Sequence, residues 1–175
     1  MAGLNLLITG RPGVGKTTLV MRVVERLRGS LRLAGFTTAE VRDPSGARVG
    51  FQILTVEGKQ AELAHVGFRS PVQVGRYGVN LEAFERLALP ELARRDVDLI
   101  VIDEIGKMEC LSERLVAAMR VLLCSDFPVV ATVGARGTGF ISEIKRWPDC
   151  ELWEVTHANR NDLSARILAW LAKST

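Results

Sequence analysis

A glycine-rich segment near the start of the chain has the residue types and spacing of a phosphate-binding loop. It consists of Gly10, Arg11, Pro12, Gly13, Val14, Gly15, Lys16 and Thr17, which fit the pattern G-x-x-x-x-G-K-[ST]. Glycines allow the backbone to bring successive amides close to a ligand, and these amides together with a helix N-terminus favour a polyphosphate anion. The Lys16 ammonium would contact the β- and γ-phosphates, and the Thr17 hydroxyl suits a Mg²⁺ ion. We therefore expect residues 10–17 and the adjacent Thr18 to bind a phosphate chain.

Two consecutive carboxylates follow a short apolar run in the second half of the chain. Asp103 and Glu104 come after residues 99–102, whose sequence LIVI is typical of a buried strand. In open α/β sheets, ligands bind beyond the carboxyl ends of the strands, so both carboxylates are expected near the phosphates. Asp103 would help Thr17 to hold Mg²⁺, through a water molecule. Glu104 would polarise a water for attack on the γ-phosphate, the alternative being a structural hydrogen bond or a solvated carboxylate.

Three further polar residues occupy positions from which they could reach a nucleotide. Thr132 lies near the end of the strand that follows Asp103, where it either senses the γ-phosphate or is a buried hydroxyl with a partner in the core. Asn159 and Arg160 open the last helix. If the last strand pairs beside the first, this turn lies over the base, and Arg160 could stack on it. For Asn159 the alternative is helix capping.

Loop cations are candidates for a residue that acts like an arginine finger on the transferred phosphate. Arg76, Lys107 and Arg136 all lie in predicted loops. A cation that reaches the γ-phosphate accelerates phosphoryl transfer by large factors. For each of these residues the alternative is a solvated charge.

The hydrophobic pattern alternates between strands and helices along most of the chain. Predicted strands occupy residues 4–9, 97–102, 128–133 and 151–155, and predicted helices begin near Thr17, after Asn80, after Ser112, at 140–147 and after Asn159. Residues 35–42 and 48–57 flank a turn and predict an antiparallel hairpin, which residues 61–66 could extend. Residues 67–78 show no clear period and are predicted as a loop. The expected fold is α/β, with helices on both faces of a mostly parallel sheet and an antiparallel hairpin addition.

The composition fits one domain spanning residues 1–175, of which 47% are hydrophobic and 25% charged. The formal net charge is +3, but the basic residues are not clustered, so a nucleic-acid partner is not expected. The apolar run 99–102 stops at Asp103 and is far shorter than the ~20 residues of a membrane span, and no signal peptide is recognised at the N-terminus. The three cysteines lack C-x-x-C spacing and are expected to be reduced thiols in a cytoplasmic protein.

These motifs together resemble the small P-loop nucleoside-triphosphatases first described in thermophiles, a family with a human member called cancer-related nucleoside-triphosphatase. The resemblance rests on the phosphate-binding loop, on VIDEIGKME at 101–109 and on the turn that contains Asn159 and Arg160. GFTTAEVR at 35–42 and VGRYGVN at 74–80 match the family too. The resemblance therefore spans nearly the whole chain, and DEIGKME is its most specific part.

The resemblance implies a RecA-like three-layer fold and Mg²⁺-dependent hydrolysis of nucleoside triphosphates, with loose selectivity among ATP, GTP, CTP and UTP. Two other functions could use the same loop. One is a small-molecule kinase, in which residues 67–78, with Arg69, Arg76 and Tyr77, would form a lid. The other is a nucleotide-gated nucleic-acid binder, although the sequence lacks a basic stripe interleaved with aromatic residues. The adjacent Asp and Glu favour water activation and hence hydrolysis. The sequence contains no apolar stripe that would predict an oligomeric state.

Overall fold

The computed structural model describes residues 5–174, which contain a nine-stranded mixed sheet with the order β5-β6-β4-β3-β2-β7-β8-β1-β9. The strands are β1 Asn5–Thr9, β2 Leu33–Arg42, β3 Arg48–Thr55, β4 Gln60–His65, β5 Gln73–Val74, β6 Tyr77–Val79, β7 Leu99–Ile105, β8 Val129–Val133 and β9 Cys150–Glu154. The helices are α1 Lys16–Leu27, α2 Leu81–Ala93, α3 Glu113–Leu123, α4 Phe140–Ile144 and α5 Arg160–Ser174. The first residue of the predicted 4–9 strand lies outside the described residues.

Five parallel strands form the part of the sheet that positions the candidate site. β1 pairs with β8 on one side and β9 on the other, and β7 lies between β8 and β2. The phosphate-binding loop follows β1, whereas Asp103 lies on β7, so β8 separates the two. Because all five strands run in the same direction, their carboxyl ends meet at one edge of the sheet. The last strand, β9, pairs beside the first, which is the condition for the turn before α5 to lie near the phosphate-binding loop.

Helices cover both faces of the parallel strands, as the alternation of apolar residues predicts. On one face, Leu6 and Ile8 pack with buried residues of α1 and α5. On the other, Leu7 packs with buried residues of α2, α3 and α4. Successive side chains of a strand point to opposite faces, so a fully apolar strand contributes to both cores. The three-layer α/β arrangement is therefore confirmed.

The antiparallel part of the sheet is larger than the predicted hairpin. β2 and β3 form the hairpin, but β2 also pairs in parallel with β7 and so belongs to the central sheet. The antiparallel extension comprises β3, β4, β6 and β5. The prediction of a loop over 67–78 is wrong in part, because β5 and the start of β6 lie within it. These strands have only two and three residues, too few to show a period.

Side chains cap two helices as the sequence predicts. The Asn80 side chain accepts a hydrogen bond from the Ala83 amide, and that of Ser112 accepts one from the Leu115 amide. The predicted helix over 140–147 is shorter than expected and ends at Ile144. Among the helices of residues 5–174, we find none with the length and apolar character that crossing a bilayer requires.

Candidate active site

The phosphate-binding loop joins β1 to the N-terminus of α1. Gly13 and Gly15 have positive φ angles of 76° and 107°, which residues with a Cβ rarely adopt. A Cβ on Gly10 would lie 2.7 Å from the Val155 carbonyl oxygen, so the chain after β9 packs directly against the loop. Gly15 is the N-cap of α1, and no side chain caps the free backbone amides in the first turn of that helix. The loop therefore leaves a helix N-terminus available to an anion.

The Lys16 side chain lies across the loop and reaches the second acidic residue. It is only 9% exposed, and its Nζ donates a hydrogen bond to the Gly10 carbonyl oxygen at 3.2 Å. The same Nζ lies 3.4 Å from Glu104 Oε2. Two residues separated by 88 positions in sequence thus meet at the carboxyl edge of the sheet, as the two motifs predict. The ammonium is held where a phosphate chain bound by the loop would pass.

Asp103 is buried near the end of β7, where one of its carboxylate oxygens accepts a hydrogen bond and the other has no partner among the described residues. Its Oδ1 accepts a hydrogen bond of 2.5 Å from Thr132 Oγ1, whereas Oδ2 has no hydrogen-bond partner among the described residues. Burial raises the pKa of the Asp103 carboxyl, while the Thr132 and Thr17 hydroxyls oppose the rise by favouring its charged form. A buried, unpaired carboxylate oxygen beside the Thr17 hydroxyl fits a hard cation such as Mg²⁺. That ion takes few protein ligands and completes its shell with water and phosphate oxygens.

Glu104 is more accessible than Asp103 and faces the loop. Its side chain is 35% exposed, and Lys16 is its ion-pair partner. Its Oε1 lies 3.1 Å from the position that a Cβ on Gly106 would occupy and 3.7 Å from that on Gly134. The carboxylate therefore sits between Lys16 and two backbone segments that leave room for it. This is a position from which a carboxylate can accept a proton from a water near the loop.

Sequence reasoning did not single out Glu109, a buried carboxyl close to Glu104. It is 6% exposed, and its Oε2 accepts a hydrogen bond of 3.1 Å from the Gly106 amide. Burial raises the pKa of Glu109 to about 7, and the nearby charges of Glu104 and Asp103 act in the same direction. The motif VIDEIGKME contains Glu109, but the spacing of the motif does not show that the turn after β7 buries this side chain.

We expect the variant Glu109→Gln to change how stability depends on pH. The folded carboxyl titrates near 7 and the unfolded one near 4.5, so the folded state keeps its proton as the pH rises through this window. Ionising the buried group above pH 7 costs the folded wild type about 3 kcal/mol, a penalty absent below pH 4.5. The amide can still accept from Gly106 but does not ionise. Urea unfolding from pH 4.5 to 8 should therefore show the variant gaining stability relative to the wild type; parallel profiles would contradict this.

The turn before the last helix lies over the start of α1. A cavity of about 220 Å³ is lined by Gly15, Thr18, Leu19, Arg22, Arg160 and Asn161. The Arg160 side chain extends to within 3.9 Å of the position of a Cβ on Gly15. Arg160 is thus brought beside the phosphate-binding loop. Sequence reasoning missed Arg22 and Asn161 in this cavity, because neither belongs to a motif.

The Asn159 side chain holds the turn rather than facing this cavity. Its Oδ1 accepts from the Thr156 amide at 2.8 Å, and its Nδ2 donates to the Glu154 carbonyl oxygen at 2.9 Å. These bonds use both ends of the amide group. Within the described part of the chain, Asn159 therefore acts as a structural residue that positions Arg160, and the expected direct contact with a nucleotide is not supported.

Side-chain contacts bear on two residues for which the sequence leaves alternatives open, Thr132 and Arg76. Thr132 is fully buried and donates to Asp103, so its hydroxyl orients that carboxylate instead of sensing the γ-phosphate. The Arg76 guanidinium donates to the Arg48 carbonyl oxygen and lies over the Tyr77 ring. The strand after Arg76 is separated from β7 by β4, β3 and β2. Arg76 therefore cannot reach a phosphate bound by residues 10–17 of the same chain.

The remaining predicted site residues fall around the phosphate-binding loop, the carboxyl end of β7 and the start of α5. Those that the structure brings together are Gly10, Arg11, Pro12, Gly13, Val14, Gly15, Lys16, Thr17, Thr18, Asp103, Glu104 and Arg160. Lys107 and Arg136 lie in loops near this edge and are exposed. A glycine-rich loop after the first strand and an acidic pair on a strand one place removed are typical of a nucleotide-binding protein.

Comparison with known proteins places this chain within that class. A family model described as NTPase matches residues 5–168. The nucleoside-triphosphatase THEP1 of Thermotoga sp. (strain RQ2) is 41% identical over 170 residues, covering 96% of this chain and 95% of that protein. The chain therefore belongs to the NTPase family, whose matched members are nucleoside-triphosphatases, and it is a hydrolase of nucleoside triphosphates.

Two solved structures share the fold. The crystal structure of THEP1 from the hyperthermophile Aquifex aeolicus superposes with a TM-score of 0.87 at 43% identity, covering 95% of this chain and 98% of that chain. The solution structure of a human cancer-related nucleoside triphosphatase gives a TM-score of 0.84 at 36% identity, with 98% of each chain covered. The family resemblance inferred from the motifs is confirmed.

Proposed function

We propose that residues 1–175 form one domain that hydrolyses ATP, GTP, CTP and UTP to the diphosphate and phosphate, with Mg²⁺ as cofactor and loose base selectivity. The observation that carries this proposal is the contact across the loop, where Lys16 Nζ lies 3.4 Å from Glu104 Oε2. This contact brings an ammonium group that could bind phosphate within ion-pair distance of a candidate general base. The unpaired Asp103 oxygen beside Thr17 supports the metal requirement.

Each residue of the site has a separate role in the proposed reaction. The loop amides and Lys16 bind the β- and γ-phosphates, and Thr17 and Asp103 would hold Mg²⁺, which when bound neutralises charge on the phosphate oxygens. Glu104 accepts a proton from a water whose oxygen attacks the γ-phosphorus. The bond from that phosphorus to the β–γ bridging oxygen breaks, and the electron pair stays on the diphosphate. Thr132 keeps Asp103 oriented through its 2.5 Å hydrogen bond.

Loose base selectivity follows from the few side chains available to a base. The cavity beside the loop contains the charged and polar groups of Arg22, Arg160 and Asn161. A guanidinium that stacks on a base distinguishes poorly among the four bases, because each base has a π face. We expect the phosphate contacts, which all nucleoside triphosphates share, to supply most of the binding energy.

The variant Arg160→Ala is expected to raise KM by about 3- to 30-fold for all four nucleotides, the range of a stacking cation. Its kcat should stay nearly constant, because among the described residues the ion-pair partner of Glu104 is Lys16 and Arg160 lies beside Gly15. The matched control is Arg26→Ala, which removes an exposed guanidinium from α1. Steady-state phosphate release with each nucleotide measures both parameters. A rise confined to one nucleotide would show that Arg160 reads the base, and no rise would remove it from the binding site.

A phosphate-release panel tests the proposed function. The wild type is assayed with ATP, GTP, CTP and UTP, with and without Mg²⁺ and with candidate phosphate acceptors. We expect release from all four nucleotides, dependent on Mg²⁺ and unchanged by acceptors. Formation of the diphosphate that needs an acceptor, without release of phosphate, would indicate the kinase, but two of its lid residues, Arg76 and Tyr77, contact Arg48 in the antiparallel extension. Stimulation by DNA or RNA would indicate the nucleic-acid binder.

We also propose a cytoplasmic location. Cys110, Cys124 and Cys150 are free thiols, which supports a reducing compartment. Burial raises the pKa of Cys110 to about 12 and that of Cys150 to about 11, so neither thiol ionises readily to the reactive thiolate.

A further inference from the structure

A lysine that belongs to no motif lies at the edge of the candidate site. Lys145 directly follows α4, and the helix is fixed in the core by buried Phe140, Ile141 and Ile144. The Lys145 Nζ donates hydrogen bonds to the carbonyl oxygens of Gly134 and Ala135, the latter at 3.0 Å. The half-buried ammonium is therefore held by folded structure on both sides, in contrast to a cation on an exposed loop.

The backbone segment that Lys145 binds also contacts Glu104. Gly134 follows β8, and its amide donates to the Ile105 carbonyl oxygen at 3.1 Å. A Cβ on Gly134 would lie 3.7 Å from Glu104 Oε1. The segment of Gly134 and Ala135 therefore contacts both groups: Glu104 lies beside Gly134, and the Lys145 ammonium donates to the two carbonyl oxygens of the segment.

Lys145 lacks the counter-charge that most buried cations have. Within residues 5–174, no carboxylate oxygen lies within the 4.0 Å of an ion pair with it, whereas nearby Arg120 pairs with Glu143. Its charge nevertheless interacts with both Glu104 and Lys16, while burial lowers the pKa of the ammonium. A half-buried cation that borders a phosphate site and has no carboxylate partner is suited to an anionic ligand.

We propose that Lys145 is a further catalytic residue, whose remaining N–H group donates to an oxygen of the γ-phosphate and stabilises the charge that develops there during hydrolysis. An ammonium has three donors, and two are used by Gly134 and Ala135. This role rests on the proposed function and assigns to a helix-anchored lysine the task expected of Arg76, Lys107 or Arg136. A donor fixed by the fold needs little reorganisation during the reaction, which is the condition for strong electrostatic catalysis.

The test compares Lys145→Met and Lys145→Gln with the wild type, using Arg146→Met as the matched control that removes an exposed charge one residue away. Both Lys145 variants are expected to lower kcat for Mg·ATP by about 100- to 1,000-fold. Affinity for ADP should change by less than about threefold, whereas the tighter binding of ADP with aluminium fluoride, which mimics the transferred phosphoryl group, should be lost.

The Gln variant separates charge from structure. Its amide can still donate to the carbonyl oxygens of Gly134 and Ala135 but carries no charge. If Lys145→Gln turns over within about threefold of the wild type, Lys145 only fixes the loop and the proposal is overturned. An active wild type together with an equally active Lys145→Met overturns the role of Lys145 alone. A wild type that releases no phosphate from any nucleotide overturns the proposed function and this role with it.

Discussion

The variant Lys16→Ala is expected to lower kcat/KM for phosphate release from Mg·ATP by about a thousandfold or more. The reason is geometric, since Lys16 is buried at the loop and its Nζ lies between the Gly10 carbonyl and Glu104. Removing it deletes the cation that binds the β- and γ-phosphates and leaves Glu104 without its partner. Nucleotide binding should weaken together with turnover, because the same contact serves both.

Two measurements check this expectation for Lys16→Ala. Phosphate release gives kcat/KM, and fluorescence titration with a labelled nucleotide gives affinity. Lys173→Ala, which removes an exposed ammonium from α5, is the matched control. Circular dichroism melting establishes that the Lys16 variant folds. A folded variant with normal affinity and turnover would show that the glycine-rich loop is not where the triphosphate binds.

The variant Glu104→Gln is expected to separate binding from chemistry. The amide occupies the same space but cannot accept a proton from water, so the rate of the chemical step should fall by about 100- to 10,000-fold. Affinity for Mg·ATP should be retained, since the loss of a carboxylate 3.4 Å from Lys16 Nζ leaves that ammonium free for phosphate. Single-turnover hydrolysis and equilibrium binding measure the two effects.

A control for Glu104→Gln is Glu25→Gln, which makes the same change on an exposed position of α1. It should behave as the wild type. Should Glu104→Gln hydrolyse Mg·ATP at the normal rate, Glu104 is a solvated or structural carboxylate, and the water must be activated by another group. A variant that loses affinity as well would indicate that Glu104 takes part in binding.

The features predicted from sequence are those whose determinants are local. The loop from Gly10 to Thr17 needs particular residue types at fixed spacing, and its position between a strand and a helix is visible in the hydrophobic pattern. The carboxyl edge that parallel strands share predicts that Asp103 and Glu104 lie near that loop. The structure places both residues within β7 instead of after it, but at the same edge.

The features that sequence did not reveal depend on contacts between distant segments. Lys145 reaches the site because α4 packs into the core, and nothing in the residues around it indicates this. Thr132 is compatible with two roles until its hydroxyl is seen to donate to Asp103, which lies 29 positions earlier. The short strand β6 forms through pairing with β4 rather than through its own pattern. In each case the decisive partner is far away in sequence.

A crystal structure of the Glu104→Gln variant with Mg·ATP would show where the triphosphate binds, because that variant should bind the nucleotide without consuming it. We predict that the γ-phosphate lies against the ammonium groups of Lys16 and Lys145, with the metal bound by the Thr17 hydroxyl on the Asp103 side of the loop. Triphosphate density away from residues 10–18, or a metal remote from Thr17 and Asp103, would show that this loop is not the nucleotide site.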